Sequence, residues 1–364
     1  MSVLNRVFEV TKDKLNLTQV VSEELILPDD NESILLAIDK FALTANNITY
    51  GITGDILGYW QFFPTQQPWG RLPVMGFAQV VRSNHPEIQV GERVWGFFPM
   101  AQHLVVKAGN VSANGFQDVA AHRSLLSPVY SRYERVNSNP FYRSETEDHQ
   151  LLVKGLYTTS WLIDDFFTEQ QYCNAKQYIV TSASSKTSIA LAFAAKSRSS
   201  IPCIGVTSAE RVEFVKSLGL YQQVVSYEQI ERLDGTVSSI IVDMAGAKSV
   251  LNQLYQHFDK KVSYCCRVGA THNSDLYQDE PLHGTKPVMF FAPAQMEKRA
   301  KQWGAGKVAM AIAESLNEYI TFCQRHIDVV HYQSFAELEN IYRQVLLGKA
   351  SANTGIIVSL VEAR

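Results

Sequence analysis

Hydroxyl and basic side chains crowd into residues 181–188, which we call the serine-rich turn. An apolar run, Tyr178–Val180, precedes it, and an Ala-rich stretch with helical spacing follows it, so the sequence predicts a strand, a turn and a helix in succession. Backbone N–H groups and the dipole at a helix N-terminus favour an anionic phosphate. The candidate ligands for such a phosphate are Ser182, Ser184, Ser185, Lys186, Thr187 and Ser188.

The composition of this turn leaves a second reading open. Dinucleotide-binding turns normally carry glycines, which let the backbone approach the pyrophosphate, and this turn has none. A well-capped helix after a strand is therefore the alternative. A phosphate loop of the nucleotide-hydrolase type is disfavoured, because that motif requires glycines where Val180 and Ser185 stand.

The end of the next predicted strand bears on the type of dinucleotide. The apolar run 202–206 is followed by Thr207 and Ser208, and Arg211 comes one helical turn later. An acidic residue at such a strand end binds the ribose 2′-hydroxyl of NAD, whereas a basic residue accommodates the 2′-phosphate of NADP. Because Glu210 lies past the strand end, the sequence favours NADP(H) over NAD(H). A solvated helix position is the alternative for Arg211.

Two further charged groups are candidates. The segment 294–307 follows a predicted strand near the ligand-binding edge of the sheet, so it could hold a phosphate or an anionic substrate, or form a solvated helix face. Its basic residues are Lys298, Arg299, Lys301 and Lys307. The neighbouring acids Asp164 and Asp165 would point apart on a helix, and we expect both at the surface.

The elements that must position these residues follow two different patterns of apolar residues. The first 110 residues contain short apolar runs bounded by Gly, Pro or polar residues, which predicts a compact, mostly antiparallel barrel or sandwich. Residues 177–268 alternate apolar strands with helices, which is typical of a doubly wound parallel sheet. Between them, residues 110–150 are rich in aromatics and Arg and are predicted to be a lid, a partner surface or helical padding.

Composition excludes several classes of protein. The 364 residues carry 33 Lys and Arg against 36 Asp and Glu, a net charge of -3, which disfavours a protein built to hold nucleic acid or an anionic membrane. No apolar run reaches the roughly 18–20 residues of a membrane span, and the start lacks a signal core, so we expect a cytoplasmic protein. The five cysteines are an odd number without metal-ligand spacing.

Several stretches together resemble the medium-chain dehydrogenase/reductase superfamily, specifically its zinc-free, quinone-oxidoreductase-like branch. Residues 72–81 and 90–98 are similar to two barrel strands of that family, and residues 353–358 look like its closing barrel strand. The serine-rich turn and its helix match the family's cofactor turn and helix in length. Residues 94–101 and 181–187 are most similar to an uncharacterised bacterial family, a domain of unknown function, within this superfamily.

The resemblance implies an α/β fold with two domains. Residues 1–150 and 325–364 would form a GroES-like β-barrel domain, which carries the substrate side. Residues 151–324 would form a doubly wound, Rossmann-type parallel sheet that binds the dinucleotide, with Gly269 at a late strand end among the cofactor contacts. The family's cofactor glycines fall on Ser182, Ser185, Lys186 and Ser188. We therefore expect the phosphates to shift onto hydroxyls and Lys186, or dinucleotide binding to be lost.

The resemblance also implies catalytic candidates. Tyr50 could donate a proton or a hydrogen bond, Asn47 stands where relatives often have an acid, and Thr158 falls near the expected nicotinamide. No Cys precedes Cys173, so a catalytic zinc is not expected. The sequence thus favours an NADP(H)-dependent reductase of a carbonyl, quinone or activated alkene, with a small-molecule substrate, no metal, no nucleic acid and no membrane partner. A homodimer stays open, as does a non-catalytic relative that binds another anion or none.

Overall fold

The structure is a computed structural model that describes residues 2–244, 246–269 and 285–361. The chain forms two compact units, Met1–Leu152 with Ile327–Arg364, which we call the barrel unit, and Val153–His326, the Rossmann unit.

The described residues contain the following elements. The strands are β1 (Ser2–Thr11), β2 (Thr18–Ile26), β3 (Ser33–Leu43), β4 (Trp69–Gly70), β5 (Pro73–Ser83), β6 (Arg93–Pro99), β7 (His103–Ser112), β8 (Gly115–Asp118), β9 (Arg132–Arg135), β10 (Gln177–Val180), β11 (Cys203–Thr207), β12 (Gln223–Ser226), β13 (Ser239–Asp243), β14 (Val262–Arg267), β15 (Val288–Met289), β16 (Asp328–Tyr332) and β17 (Thr354–Val358). The helices are α1 (Ala45–Ile52), α2 (Gly54–Leu57), α3 (Pro128–Ser131), α4 (Glu147–Glu169), α5 (Lys186–Arg198), α6 (Val212–Ser217), α7 (Lys248–Phe258), α8 (Ala292–Trp303), α9 (Ala305–Cys323) and α10 (Phe335–Leu346).

The barrel unit is built on a closed β-barrel. Six strands pair in the order β3-β5-β6-β9-β8-β7, and β7 pairs back to β3, so the barrel has no open edge; β17 and β16 extend the sheet beyond β3. Apolar side chains fill its core, among them Phe41 and Phe98. At Gly76 a Cβ atom would lie 2.8 Å from the Lys40 carbonyl oxygen, so the close approach of β3 and β5 requires glycine.

The segment 110–150 contains two strands of this barrel, which the sequence did not indicate; its role as a lid, a partner surface or helical padding stays a prediction. The short strands β8 and β9 close the barrel between β6 and β7. Their residues are largely polar, and a strand of four residues with one inward aromatic, such as Tyr133 in β9, gives too little alternation to be recognised in the sequence. The predicted barrel-plus-Rossmann fold class is confirmed.

The Rossmann unit contains one parallel sheet of six strands in the order β12-β11-β10-β13-β14-β15. In chain order within the unit this is 3-2-1-4-5-6, the doubly wound dinucleotide-binding topology. Every residue of β10, β11 and β13 is buried, as expected for parallel strands with both faces covered. The strand order reverses between β10 and β13, so their carboxyl ends form the crevice where such sheets bind ligands.

Candidate functional site

The serine-rich turn lies at this crevice, directly after β10. The Thr181 hydroxyl donates to Asp243 at 3.0 Å and accepts from the backbone N–H of Met244 at 3.0 Å, which ties the ends of β10 and β13 together. The carboxylate of Asp243 also accepts from the Gly246 N–H at 3.1 Å. These bonds fix the crevice on one side, and the helix α5 begins at Lys186 on the other.

The backbone of the turn has the form that a glycine usually provides. Ser182 has a φ of 47°, in the left-handed region where a side chain costs about 1–3 kcal/mol and glycine costs nothing. This residue takes the place of a cofactor glycine in the resembled family. A serine therefore holds the left-handed backbone that glycine adopts without cost.

The hydroxyls of the turn are bonded within the fold. Ser185 is the N-cap of α5 and accepts from the Ser188 N–H at 3.2 Å, while the Ser188 hydroxyl donates to the Thr181 carbonyl at 3.0 Å. Ser184 accepts a bond of 3.3 Å from the Thr207 hydroxyl. These groups thus build the turn and its helix cap, and a phosphate would have to find its main donors among the cations and backbone N–H groups.

Two cations act on one another at this turn. Lys186 is the first residue of α5, and Arg211 ends a short 3₁₀ turn after β11. The pKa of the Lys186 ammonium is lowered to about 8, chiefly by burial; Cys323 opposes this shift, and the Arg211 guanidinium contributes to it. The guanidinium also acts on Tyr227, whose hydroxyl lies 3.3 Å from that of Ser182. Positive charge is therefore concentrated at the carboxyl edge of β10 and β11.

The other predicted cofactor residues occupy different surroundings. Thr207 is buried and its hydroxyl is used by Ser184, so it stabilises the turn. Ser208 is partly exposed and its carbonyl accepts from the Arg211 N–H at 3.0 Å, so these two residues share one turn. Thr187 is partly exposed, next to Lys186, and Gly269 is buried beyond the end of β14. The predicted roles of all four stay predictions.

The predicted catalytic residues belong to both units of the chain. Asn47 is buried, and its amide accepts from the Thr44 N–H at 2.7 Å and donates to the Pro73 carbonyl at 2.9 Å, so it caps α1. Tyr50, on the same helix, is buried, and burial raises the pKa of its hydroxyl. Thr158 belongs to the Rossmann unit and donates to the Lys154 carbonyl at 2.8 Å within α4.

The barrel unit also contains an aromatic cluster that was not evident from the sequence. The rings of Tyr59 and Tyr50 are tilted against one another with centroids 4.6 Å apart, and Tyr130 approaches both Tyr59 and Phe97. Two phenol oxygens, of Tyr59 and Tyr130, lie 3.2 Å apart. In the sequence, only the aromatic residues of segment 110–150 pointed to this cluster. The fold of the barrel unit brings one of them, Tyr130, against Tyr59.

The acid pair corrects one expectation, and two residues of the basic segment pack against it or its helix. Asp164 and Asp165 are both buried, and burial raises the pKa of Asp164 to about 6. Arg299, on α8, donates to Asp165 at 2.6 Å and Lys298 pairs with Glu169 at 2.7 Å. The expectation of surface acids is wrong, because α8 packs its basic side chains against α4. These cations therefore serve the packing of the Rossmann unit.

The described residues also bear on metals and membranes. Within residues 2–244, 246–269 and 285–361, no three His, Cys, Asp or Glu side chains are grouped as metal ligands would be. In the same ranges, no helix combines the length and apolar character needed to cross a membrane.

Comparison with known families decides the assignment. A family profile described as "Protein of unknown function (DUF2855)" matches residues 41–351. The chain belongs to this family. A search of curated proteins finds no match. The DUF2855 match, with the fold described above, confirms the predicted resemblance to an uncharacterised family with the medium-chain dehydrogenase/reductase fold.

Solved structures share the fold of this DUF2855 chain at low sequence identity. CurA from Vibrio vulnificus is similar with a TM-score of 0.67 and 14% identity over 99% of this chain and 100% of that chain, and its NADPH complex with 0.65 and 13% over 98% and 100%. The yhdH oxidoreductase from Salmonella enterica, in complex with NADP, gives 0.53 and 11% over 99% and 100%. An Etr1p mutant in complex with NADP and crotonyl-CoA gives 0.56 and 12% over 99% and 100%.

Proposed function

We propose that this chain is a zinc-independent, NADP(H)-dependent oxidoreductase that reduces a carbonyl, a quinone or an activated alkene such as an enone or enoyl group. The observation that carries the proposal is the pair of cations, Lys186 and Arg211, beside a glycine-like turn at the carboxyl edge of a Rossmann sheet. Proteins of similar fold that were solved with NADPH or NADP support the choice of dinucleotide.

The residues present fit a dinucleotide phosphate despite the missing glycines. Ser182 has the left-handed backbone that glycine adopts readily, and the hydroxyls of Ser185 and Ser188 are bonded within the fold. Lys186 would hold the pyrophosphate as a point charge at the N-terminus of α5. Arg211, with the Ser208 hydroxyl on the same turn, would hold the 2′-phosphate through charge-assisted hydrogen bonds.

Bound NADPH supplies a hydride, and the work of this chain is to bind, orient and polarise. With a pKa of about 8, Lys186 is mostly protonated at neutral pH and offers a cation without the full hydration of an exposed lysine. Arg211 distinguishes the phosphorylated dinucleotide, because the strand end at Thr207 and Ser208 carries no carboxylate for a ribose hydroxyl.

On the acceptor side, the barrel unit offers phenol hydroxyls. Burial raises the pKa of Tyr50, so its hydroxyl stays protonated at ordinary pH and can donate a hydrogen bond. The amide of Asn47 is occupied by the cap of α1, which favours a positioning role for that residue. Zinc independence is supported by the donor chemistry, since the chain has no thiol before Cys173.

The test is a turnover assay with NADPH or NADH and three acceptors of different class: phenanthrenequinone, benzalacetone and crotonyl-CoA. We expect NADPH to be consumed with at least one acceptor, faster than NADH, by protein that contains no stoichiometric zinc on elemental analysis. One tightly held zinc per chain that is lost together with activity on chelation would contradict the proposal.

A second candidate function is a divergent, non-catalytic relative whose serine-rich turn binds another anion or none. The inward bonding of Ser184, Ser185 and Ser188 favours it, because those hydroxyls already have partners. This alternative predicts no turnover with any of the acceptors and no binding of either dinucleotide at millimolar concentration. Detectable NADPH binding with turnover eliminates it.

A further inference from the structure

The aromatic cluster of the barrel unit gathers side chains that are far apart in sequence. It consists of Tyr50, Tyr59, Phe62, Phe97 and Tyr130. Tyr130, on α3, has its ring 5.2 Å from Phe62, 5.6 Å from Phe97 and 5.7 Å from Tyr59, measured between centroids. It is the one member supplied by segment 110–150, and it is partly exposed, whereas the other four are buried.

The hydrogen bond between Tyr59 and Tyr130 leaves one proton over. The two phenol oxygens lie 3.2 Å apart, and either can be the donor. A pair of hydroxyls needs only one of its two O–H groups for a mutual bond, and neither phenol makes another hydrogen bond within the part of the chain that the structure describes. When Tyr59 donates this bond, the O–H left over belongs to Tyr130, the partly exposed partner.

The charge beneath the cluster is neutralised. Arg123 lies 3.2 Å from the Asp118 carboxylate, with both side chains almost fully buried. Its guanidinium also lies 4.7 Å from the ring centroid of Phe63 and 5.4 Å from that of Phe62, so these two rings pack against the cation. An anionic ligand gains little from a cation already paired in this way, and the cluster favours an uncharged, flat molecule.

We propose that Tyr130 is a further catalytic residue, whose hydroxyl, held by Tyr59, donates a hydrogen bond to the carbonyl oxygen of a flat, uncharged enone or quinone packed on the aromatic cluster. This inference rests on the proposed function and narrows its substrate class. Hydride addition to the β-carbon of an enone moves an electron pair onto the carbonyl oxygen and gives an enolate. Tyr130 keeps its proton and stabilises that oxygen, and water supplies the proton that completes the ketone.

The environment of Tyr130 suits a donor that is not consumed. Burial raises its pKa, and the nearby phenols of Tyr59 and Tyr50 raise it further, so the hydroxyl stays protonated. A donor aimed at an oxygen that gains charge contributes more to the transition state than to the ground state. Its loss should therefore lower kcat more than it raises KM.

The kinetic test compares Tyr130→Phe with a matched control, Tyr142→Phe. Tyr142 also belongs to segment 110–150, but its hydroxyl donates to Glu147 at 2.6 Å, outside the aromatic cluster. With NADPH and benzalacetone, Tyr130→Phe should lower kcat by roughly 100-fold, as for loss of an oxyanion-hole donor, with KM within about threefold. The control should keep wild-type kinetics. Wild-type kcat in Tyr130→Phe would overturn the proposal.

A spectroscopic test separates this proposal from the proposed function. Infrared spectra of benzalacetone bound to the wild type without dinucleotide should show its carbonyl stretch at a lower frequency than in free benzalacetone. The shift should be lost in Tyr130→Phe and reduced in Tyr59→Phe, with circular dichroism confirming that both variants fold. If the wild type turns over no acceptor but shows this shift, the proposed function falls and the Tyr130 site stands. If benzalacetone does not bind, or the shift survives in Tyr130→Phe, the site falls whatever the turnover.

Discussion

Two basic regions of the Rossmann unit were candidates for a phosphate site in the sequence, and they differ in what surrounds them. On α8, Arg299 is 7% exposed and lies 2.6 Å from Asp165, and Lys298 pairs with Glu169. At the serine-rich turn, Lys186 stands at the start of α5, where its pKa is lowered by burial and by the charge of Arg211. The first region pairs opposite charges; in the second, two cations lie close enough for the charge of Arg211 to lower the pKa of Lys186.

The difference teaches how to distinguish a structural from a ligand-binding cation. Two neighbouring cations repel one another, and an anionic ligand bound beside them offsets that repulsion. A buried cation on a buried carboxylate, by contrast, satisfies the charge of the protein itself. Stability and dinucleotide binding, measured on the same variants, distinguish these two roles.

The largest effect is expected from Arg299→Ala. It leaves the buried Asp165 beside Asp164, whose own pKa is already raised, so we expect a loss of about 3–5 kcal/mol in the free energy of unfolding, measured by urea denaturation. The control, Lys301→Ala, removes an exposed pair with Glu297 and should cost less than about 0.5 kcal/mol. A loss below about 1 kcal/mol in Arg299→Ala would contradict the claim that Arg299 stabilises the fold by pairing with Asp165.

Arg211→Ala tests dinucleotide specificity. A hydrogen bond to a charged group contributes about 1.5–3 kcal/mol, so the Kd for NADPH should rise by roughly 10- to 100-fold while that for NADH changes less than about twofold. Arg232→Ala, an exposed arginine of the same unit, is the control and should change neither. Equal weakening of both dinucleotides, or tighter NADH binding by the parent protein, would contradict the assignment of the 2′-phosphate.

The pH dependence of NADPH binding follows from the pKa of Lys186. The free ammonium loses its proton above about pH 8, and a bound phosphate favours the charged form and raises this pKa. Affinity should therefore be constant between pH 6 and about pH 8 and fall above it, by up to about tenfold per pH unit. Cys323, whose pKa burial raises to about 12, does not titrate in this range. A flat profile in the wild type, equal to that of Lys186→Ala, would show that Lys186 does not face the phosphate.

The smallest effect is expected from Ser185→Ala. Loss of the N-cap bond to the Ser188 N–H should cost about 1 kcal/mol of stability, while the Kd for NADPH stays within about twofold. Ser197→Ala, near the other end of α5, is the control for stability. A loss of binding that exceeds tenfold with unchanged stability would mean that the serine hydroxyl is itself a phosphate ligand.

The fold could be predicted further than the site. Buried parallel strands are continuous apolar runs, and the alternation of runs and helices in residues 177–268 therefore indicated the Rossmann sheet directly. The barrel strands β8 and β9 were not predicted, because four-residue strands with polar outer faces show almost no alternation of apolar and polar residues.

The site depends on contacts between residues far apart in the chain. The stretch 181–188 indicated a turn at a helix start, but not that its hydroxyls bond to Thr181 and Thr207. Likewise, the burial of Asp165 depends on Arg299, 134 residues away. Side chains of this kind obtain their role from tertiary packing, which local spacing does not encode.

The most direct test of the central claim is the equilibrium Kd for NADPH and NADH, followed by nicotinamide fluorescence, in the wild type, in Lys186→Ala and in Lys196→Ala. Lys196 is an exposed lysine on the same helix, bonded to the Gly219 carbonyl. We predict tighter NADPH than NADH binding in the wild type, a loss of roughly tenfold or more for both dinucleotides in Lys186→Ala, and wild-type values in Lys196→Ala. Failure of the wild type to bind either dinucleotide at millimolar concentration, or an unchanged Kd in Lys186→Ala, would contradict the account.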